Sequence, residues 1–262
     1  MSGPFENRLE SPMKTALRLV TAWLVLSLTL TAHALTFRAA SDPYPPYGDP
    51  KHPDGGLGIE IIRAAYKTQG HEVTMEYVPW ARAEAGVKNG TYDILPFTWR
   101  TDAREKVLLF SAPFAVGNVR FIKRKGDPFN FQGMESLEGK RIGVIQGYGY
   151  SDAFAQSTGF VRENGKDLAT NVHKLLLKRL DLTIEDETVA RAALFADGPD
   201  MLEQIEFVKT PLAVNPLYIT AGMQNPLAQE IISSFNKGLE IIKANGTYDR
   251  IFKKYGVERS VR

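Results

Sequence analysis

From Leu35 onward, short strand patterns alternate with amphipathic helix patterns, and this alternation restricts the chain to α/β architectures. Thr36 to Ala40 is strand-like, and Ile59 to Thr68 carries apolar residues at helical spacing. Val73 to Tyr77 alternates as a half-buried strand does, and a second helix pattern, Trp80 to Asn89, follows at once. This βαβα order predicts a largely parallel sheet.

The alternation continues without an internal repeat or a long linker. Further strand patterns cover residues 92–96, 119–123, 141–145, 182–184, 205–208 and 217–220. Further helix patterns begin at Thr101 and after Ser151, and others cover residues 173–179, 187–195, 227–244 and 248–255. The second half of the chain is therefore predicted to form another α/β unit.

The first residues are typical of an export signal. Lys14 and Arg18 flank an apolar run from Leu19 to Leu30, which ends at the small-residue site Ala32-His33-Ala34. The run is shorter than the roughly 20 residues that a membrane-spanning helix needs. We therefore predict that residues 1–34 are a signal peptide and that cleavage follows Ala34.

Composition argues against several classes of function. The net charge is +2, so the chain has no bulk attraction for nucleic acid. Without cysteine it has no disulfide, no thiolate metal site and no lipid anchor after the signal, and we expect it in the periplasm of a Gram-negative cell. We expect neither a metal nor a cofactor, because four histidines lack ligand-like spacing: His33, His52, His71 and His173.

The segment Thr101-Asp102-Ala103-Arg104 is a candidate anion site. Thr101 is placed to cap a helix, and the N–H groups of the first turn together with the Arg104 fork suit a carboxylate. The alternative is a surface helix in which Arg104 pairs with Glu105 or another neighbour. The segment alone leaves both interpretations open.

Glu185-Asp186-Glu187 follows a strand, at the edge where open α/β sheets bind their ligands. A carboxylate there could receive a cationic amine. The alternative is a helix cap at Asp186, with acids that favour the N-terminal dipole. Both roles are compatible with the sequence.

Aromatic and glycine residues near the strand ends are candidates for the wall of a pocket. The loop Gly147 to Ser151 is either a ligand wall or a tight turn, and it lacks the third glycine of a dinucleotide fingerprint. Large aromatic residues in loops either bind ligands or cover the core. Those near strand ends are Tyr44, Tyr47, Trp80, Trp99 and Tyr148.

The end of the chain carries the most specific resemblance to a known family. Residues 243–256 read KANGTYDRIFKKYG and look like the final helix pair of the bacterial family 3 extracellular solute-binding proteins. Supporting blocks occur in the same order at residues 42–47, 56–60, 101–104, 110–114, 139–147 and 180–187. The resemblance covers essentially the whole mature chain.

The resemblance implies the periplasmic-binding-protein type II fold, with two α/β lobes joined by a two-strand hinge and a ligand cleft between them. Residues 35–117 and 216–262 would form lobe 1, and residues 118–215 would form lobe 2. By position, Arg104 matches the carboxylate-binding arginine of the family and Asp186 the acceptor of an α-amino group.

The other implied ligand contacts lie on both walls of the cleft. Phe97 and Trp99 replace small hydroxyl residues that are frequent in the family, and Gly58 replaces a frequent acidic residue. The full predicted set is Asp42, Tyr44, Trp80, Phe97, Trp99, Arg104, Tyr148, Gly149 and Asp186.

The implied function is periplasmic capture of a small polar ligand, an amino acid or a related zwitterion. Closure of the lobes traps the ligand, and the partner is the permease of an ABC transporter. A monomer without catalytic activity is expected. The alternatives on the same scaffold are an enzyme similar to the cyclohexadienyl dehydratases and a free-standing ligand sensor.

Overall fold

The computed structural model describes residues 34–197 and 199–257. The predicted signal peptide therefore lies outside the described residues, apart from Ala34. In these two ranges no helix is long and apolar enough to cross a membrane.

The first sheet contains two parallel strands connected by a helix. Strand β1, Thr36–Ser41, pairs in continuous register with β2, Glu72–Tyr77, and helix α1, Leu57–Lys67, lies between them in sequence. The apolar face predicted for α1 is confirmed, because Ile59, Ile62 and Tyr66 are all buried.

A second, eight-stranded sheet occupies most of the remaining chain. Its strands are β3 Leu95–Thr98, β4 Leu108–Phe110, β5 Ala115–Arg124, β6 Arg141–Ile145, β7 Val161–Gly165, β8 Leu182–Asp186, β9 Ile205–Phe207 and β10 Ala213–Gly222. The order is β3-β10-β5-β8-β6-β7, with β4 paired to β10 and β9 paired to β5.

Helices follow most of the strands. They are α2 Trp80–Lys88, α3 Asp102–Glu105, α4 Asp152–Gln156, α5 Leu168–Leu176, α6 Glu187–Asp197, α7 Pro199–Leu202, α8 Ala228–Ala244 and α9 Thr247–Tyr255. A 3-10 turn at Met134–Leu137 precedes β6. The two final helices agree closely with the sequence prediction.

The prediction of a largely parallel sheet was wrong for the larger sheet. Strand β5 runs antiparallel to β8, β9 and β10, and β10 also runs antiparallel to β3 and β4. In this sheet the parallel pairs are β6 with β7 and β6 with β8. The difference arises because β5 and β10 lie side by side in opposite directions, a pairing that local periodicity does not encode.

The limits of some strands also differ from the prediction. The strand predicted at residues 92–96 is displaced, because Ile94 makes only an isolated bridge with Ala39 and β3 begins at Leu95. The polar strand β7 was missed, since its sequence VRENG lacks an alternating apolar pattern.

The packing of α1 on α8 anchors the smaller sheet. The ring of Tyr66 contacts Phe37 on β1 at 5.1 Å and Phe235 on α8 at 5.8 Å between centroids. The Tyr66 hydroxyl donates to the Ile231 carbonyl at 2.9 Å, so its polar end is satisfied in the core. Burial of each such ring contributes about 1.5–3 kcal/mol.

Candidate functional site

A small cavity lies among loops that follow strand ends. Counted with its open mouth, its empty space is about 240 Å³. The lining residues are Tyr44, Trp80, Phe97, Trp99, Arg104, Tyr148 and Gly149. All seven belong to the set predicted from the sequence, whereas Asp42 and Asp186 lie outside the lining.

Aromatic rings form most of the cavity wall. Tyr148 is at their centre, and its ring lies 5.7 Å from Trp80, 5.7 Å from Trp99 and 6.4 Å from Tyr44 between centroids. These contacts are edge-to-face, the geometry that aromatic quadrupoles favour. The exposed faces of such rings attract apolar groups and cations.

Phe97 has a backbone conformation that is unusual for a large residue. Its φ is 57°, in the left-handed region where bulky side chains are strained. A Cβ atom on Gly48 or Gly58 would lie only 2.6 or 2.5 Å from the Phe97 ring. Gly48 and Gly58 therefore make room for this ring.

Arg104 is buried and is already bonded to protein oxygens. Its Nη1 donates to the Trp99 carbonyl at 3.0 Å, and its Nη2 donates to the Gly147 carbonyl and to a Glu84 carboxylate oxygen, each at 3.0 Å. The guanidinium lies over the Trp80 ring at 5.0 Å. The predicted Thr101 cap is confirmed, since its hydroxyl accepts from the Arg104 backbone N–H.

Glu84 is a site residue that the sequence reasoning missed. Its Oε2 accepts from Arg104 and from the Trp80 indole N–H, while its Oε1 accepts from Lys88 at 2.7 Å. Burial acts to raise the pKa of Glu84, but the Arg104 charge and the bonds from Arg104 and Lys88 hold that pKa below its ordinary value. The available signal was spacing, because Glu84 lies one helical turn after Trp80 on α2.

Two carboxylates, those of Asp42 and Glu185, lie close to the cavity. The Tyr148 hydroxyl donates to Asp42 at 2.8 Å, and burial raises the pKa of Asp42 to about 6. Glu185 on β8 is 1% exposed and accepts from the Asp186 backbone N–H. Burial raises the pKa of Glu185 well above its ordinary value.

Asp186 ends β8 and caps α6, as one sequence interpretation predicted. Its Oδ1 accepts from the Val189 backbone N–H at 3.0 Å, and burial raises its pKa to about 6 although backbone N–H bonds from Val189, Thr188 and Asn118 act to lower it. Its charge adds to the effect of burial in raising the pKa values of Tyr44 and Tyr47. Asp186 thus affects the pKa values of two neighbouring tyrosines although it does not line the cavity.

Three buried polar atoms at or beside the cavity have no hydrogen-bond partner. They are the Tyr44 hydroxyl, the Trp99 indole nitrogen and Asp186 Oδ2. Leaving such an atom unpaired costs about 1–3 kcal/mol, and more for a charged group. Unpaired polar atoms around a cavity are what a polar ligand can satisfy.

The loop after β6 bonds directly to the opposite wall. The Gly147 carbonyl accepts from Trp80 Nε1 at 3.1 Å as well as from Arg104, and Tyr148 donates to Asp42. These bonds connect residues on either side of β5 in sequence. The loop after β6 is therefore bonded to Trp80, Arg104 and Asp42.

Comparison with known proteins gives one family across nearly the whole described chain. The sequence model for the bacterial extracellular solute-binding proteins, family 3, matches residues 37–258. The chain is 30% identical over 166 residues to the lysine/arginine/ornithine-binding periplasmic protein of Escherichia coli, covering 59% of this chain and 60% of that protein. It is 25% identical to the arginine-binding periplasmic protein of Mannheimia haemolytica, covering 88% and 95%.

Solved structures agree on the fold. An ancestral arginine-binding protein bound to arginine superposes with a TM-score of 0.70 at 25% identity, covering 84% of this chain and 97% of that chain. An arginine-binding protein mutant from T. maritima gives a TM-score of 0.72 at 18% identity, covering 87% and 98%. The predicted periplasmic-binding-protein type II fold is confirmed.

Proposed function

The chain belongs to the bacterial extracellular solute-binding proteins, family 3, and we propose that it captures an amino acid or a related zwitterion in the aromatic cavity. One observation carries the proposal most directly. Arg104 lines the aromatic cavity, and Asp186, whose charge adds to burial in raising the pKa of the lining residue Tyr44, provides a buried carboxylate with one free oxygen beside it. The names of the similar proteins, which bind amino acids, support this ligand class.

The proposed orientation puts the ligand carboxylate at Arg104 and its amine toward Asp186. A charge-assisted bond to Asp186 Oδ2 would give this buried carboxylate oxygen the partner that it lacks. Asp186 lies outside the lining, so the orientation requires Tyr44 and its neighbouring rings to move when the ligand enters. The faces of Tyr44 and Trp99 would attract the amine on its path.

Movement of two lobes would open and close this site. We propose that residues 35–117 and 216–262 form one lobe and residues 118–215 the other. The two boundaries fall inside β5 and β10. These strands pair with each other from Ala115 opposite Leu217 to Val119 opposite Ala213. A hinge in these strands would let the Gly147 loop leave Arg104 and return after binding.

Delivery to the permease of an ABC transporter is the proposed outcome of capture. Periplasmic location of the chain is part of this proposal and is supported by the names of similar periplasmic proteins. A monomeric state is proposed with it. Binding without catalysis is proposed for the same reason. Mass spectrometry of the released ligand tests this point, because a dehydratase would return an altered molecule.

A thermal-melt screen of the purified protein against amino acids, polyamines, organic acids and cyclohexadienyl acids tests the proposal. A ligand at about one hundred times its dissociation constant adds roughly 2.7 kcal/mol of stability. We expect the largest increase in melting temperature with a zwitterion. A shift with a cyclohexadienyl acid that is then consumed, or no shift with any compound, would contradict the proposal.

A further inference from the structure

Glu84 holds the group that the ligand carboxylate would need. Its Oε2 lies 3.0 Å from Arg104 Nη2, and the Glu84 side chain is only 14% exposed. Arg104 itself is 5% exposed in its side chain, so the pair is shielded from solvent. A shielded pair is screened less by salt and water than a surface pair.

The surroundings of Glu84 give it a second position without loss of charge pairing. Lys88 Nζ lies 2.7 Å from Glu84 Oε1 and is 42% exposed. A rotation of the Glu84 side chain away from Arg104 would therefore keep the bond to Lys88. The same rotation would free Arg104 Nη2 for another anion.

We propose that Glu84 is an internal competitor of the ligand carboxylate for Arg104 and thereby sets which ligands bind tightly. The inference rests on the proposed function, since it concerns a zwitterion in this cavity. A ligand whose carboxylate bonds to Arg104 Nη2 must displace Glu84 toward Lys88. A ligand that carries the same amine without the carboxylate leaves the Glu84–Arg104 pair intact.

The electrostatics of the cavity favour this competition. Two carboxylates beside one guanidinium repel each other, and Glu84 stays charged because its pKa lies below the ordinary value. Protonation therefore gives no relief near neutral pH. The remaining route is movement of Glu84, and its cost reduces the affinity for the carboxylate ligand.

Calorimetric titration with two matched ligands tests the inference. L-arginine and agmatine have the same guanidinium side chain, but agmatine lacks the carboxylate. We expect Glu84→Gln to bind L-arginine roughly tenfold more tightly than the original protein does, because removal of one charged partner leaves Arg104 available. Agmatine affinity should change by less than about threefold, because it does not use Arg104.

Two further variants keep the result interpretable. Glu105→Gln removes the same charge from an exposed pair with Arg100, and it should alter neither affinity by more than about twofold. Lys88→Met removes the second partner of Glu84 at an exposed position, so Glu84 should hold Arg104 more firmly and L-arginine should bind about threefold more weakly. The loss expected in Lys88→Met can be measured whether or not Glu84→Gln folds.

The outcomes separate the two proposals. Equal gains for L-arginine and agmatine in Glu84→Gln, or no gain for L-arginine, would overturn the inference while leaving ligand capture intact. Absence of binding by all four proteins to both compounds, and to the amino acids of the melt screen, would overturn both. A gain confined to L-arginine, with a loss in Lys88→Met, supports competition.

Discussion

The basic end of the candidate site, Arg104, and its acidic end, Asp186, differ in how completely the protein provides hydrogen-bond partners for their side chains. Arg104 donates to three protein oxygens, on Trp99, Gly147 and Glu84. Asp186 is fully buried, and backbone N–H bonds from Val189, Thr188 and Asn118 support its charge, but its Oδ2 has no partner at full hydrogen-bond geometry. The basic end is therefore stable without a ligand, whereas the acidic end keeps one carboxylate oxygen that a ligand could bond.

This difference indicates where ligand binding releases most free energy. An amine near Asp186 would pair a desolvated charge, which is worth more than a bond to a group that is already satisfied. A carboxylate at Arg104 would replace one anion with another. We therefore expect affinity to depend more on the amine of the ligand than on its carboxylate.

The largest effect, on the free energy of unfolding, is expected when the Arg104 side chain is removed. Arg104→Ala leaves Glu84 with Lys88 and the Trp80 indole N–H and removes two bonds to carbonyls, so the free energy of unfolding should fall by about 3 kcal/mol. Chemical denaturation measures the change. Arg82→Ala, on the exposed surface of α2, is the matched control and should change it by less than about 0.5 kcal/mol. Equal losses in both variants would contradict the role of Arg104.

Neutralising the acidic end should have the next largest effect. Asp186→Asn keeps an oxygen for the Val189 N–H but removes the charge, and affinity for an amine-bearing ligand should fall about a hundredfold. Without ligand the variant should be at least as stable as the original protein, because a buried anion is lost. Calorimetry and thermal melting test both points, with the exposed Asp181→Asn as control. Unchanged affinity would remove Asp186 from the site.

Lowering the pH should stabilise the ligand-free protein, by a smaller amount than Arg104→Ala destabilises it. The pKa values of Asp42 and Asp186 are about 6 in the folded protein, against an ordinary value of 3.8. The folded state therefore binds more protons than the unfolded state between pH 4 and 6, and stability falls as pH rises through that window. Lowering the pH from 7 to 5 should stabilise the ligand-free protein by about 1 kcal/mol for each group.

The pH dependence has a direct control in the double variant Asp42→Asn, Asp186→Asn. Its melting temperature should vary less between pH 5 and 7 than that of the original protein. Ligand affinity should move in the other direction, because protonated carboxylates bind an amine poorly. A melting temperature that rises with pH over this range would contradict the assignment.

The smallest effect concerns the unpartnered indole nitrogen of Trp99. Trp99→Phe keeps an aromatic ring and removes the donor, so affinity should fall about threefold if the ligand accepts from that nitrogen. The ligand-free protein should gain stability, or lose little, because an unsatisfied donor disappears. Trp80→Phe is not a matched control, because it would also remove the indole N–H that donates to Glu84. An affinity equal to that of the original protein would exclude the indole nitrogen from ligand contact.

Much of the site was predictable from local sequence because it is built at strand ends. Tyr44, Trp99 and Tyr148 follow β1, β3 and β6, Arg104 and Asp186 were candidates from their local segments, and the resemblance to the family implied the role of each. The Glu84–Arg104 pair was not predictable, since it depends on how α2 packs beside α3. The left-handed φ of Phe97 also has no local signal, although the two glycines against its ring, Gly48 and Gly58, are consistent with it.

The fold shows the same division between local and long-range information. Helix α8 and strand β1 were predicted to within a residue or so, because their burial patterns are periodic. The antiparallel pairing of β5 with β10 joins residues nearly a hundred positions apart, as in Val119 with Ala213. Periodicity indicates that a strand exists, but its partner and direction are decided by tertiary packing.

A crystal structure of the protein with the tightest-binding amino acid tests the central claim most directly. We predict that the ligand amine lies within hydrogen-bond distance of Asp186 Oδ2 and that its carboxylate bonds to Arg104, with Glu84 turned toward Lys88. A ligand whose amine is bound away from Asp186, or a carboxylate bound elsewhere beside an intact Glu84–Arg104 pair, would contradict it.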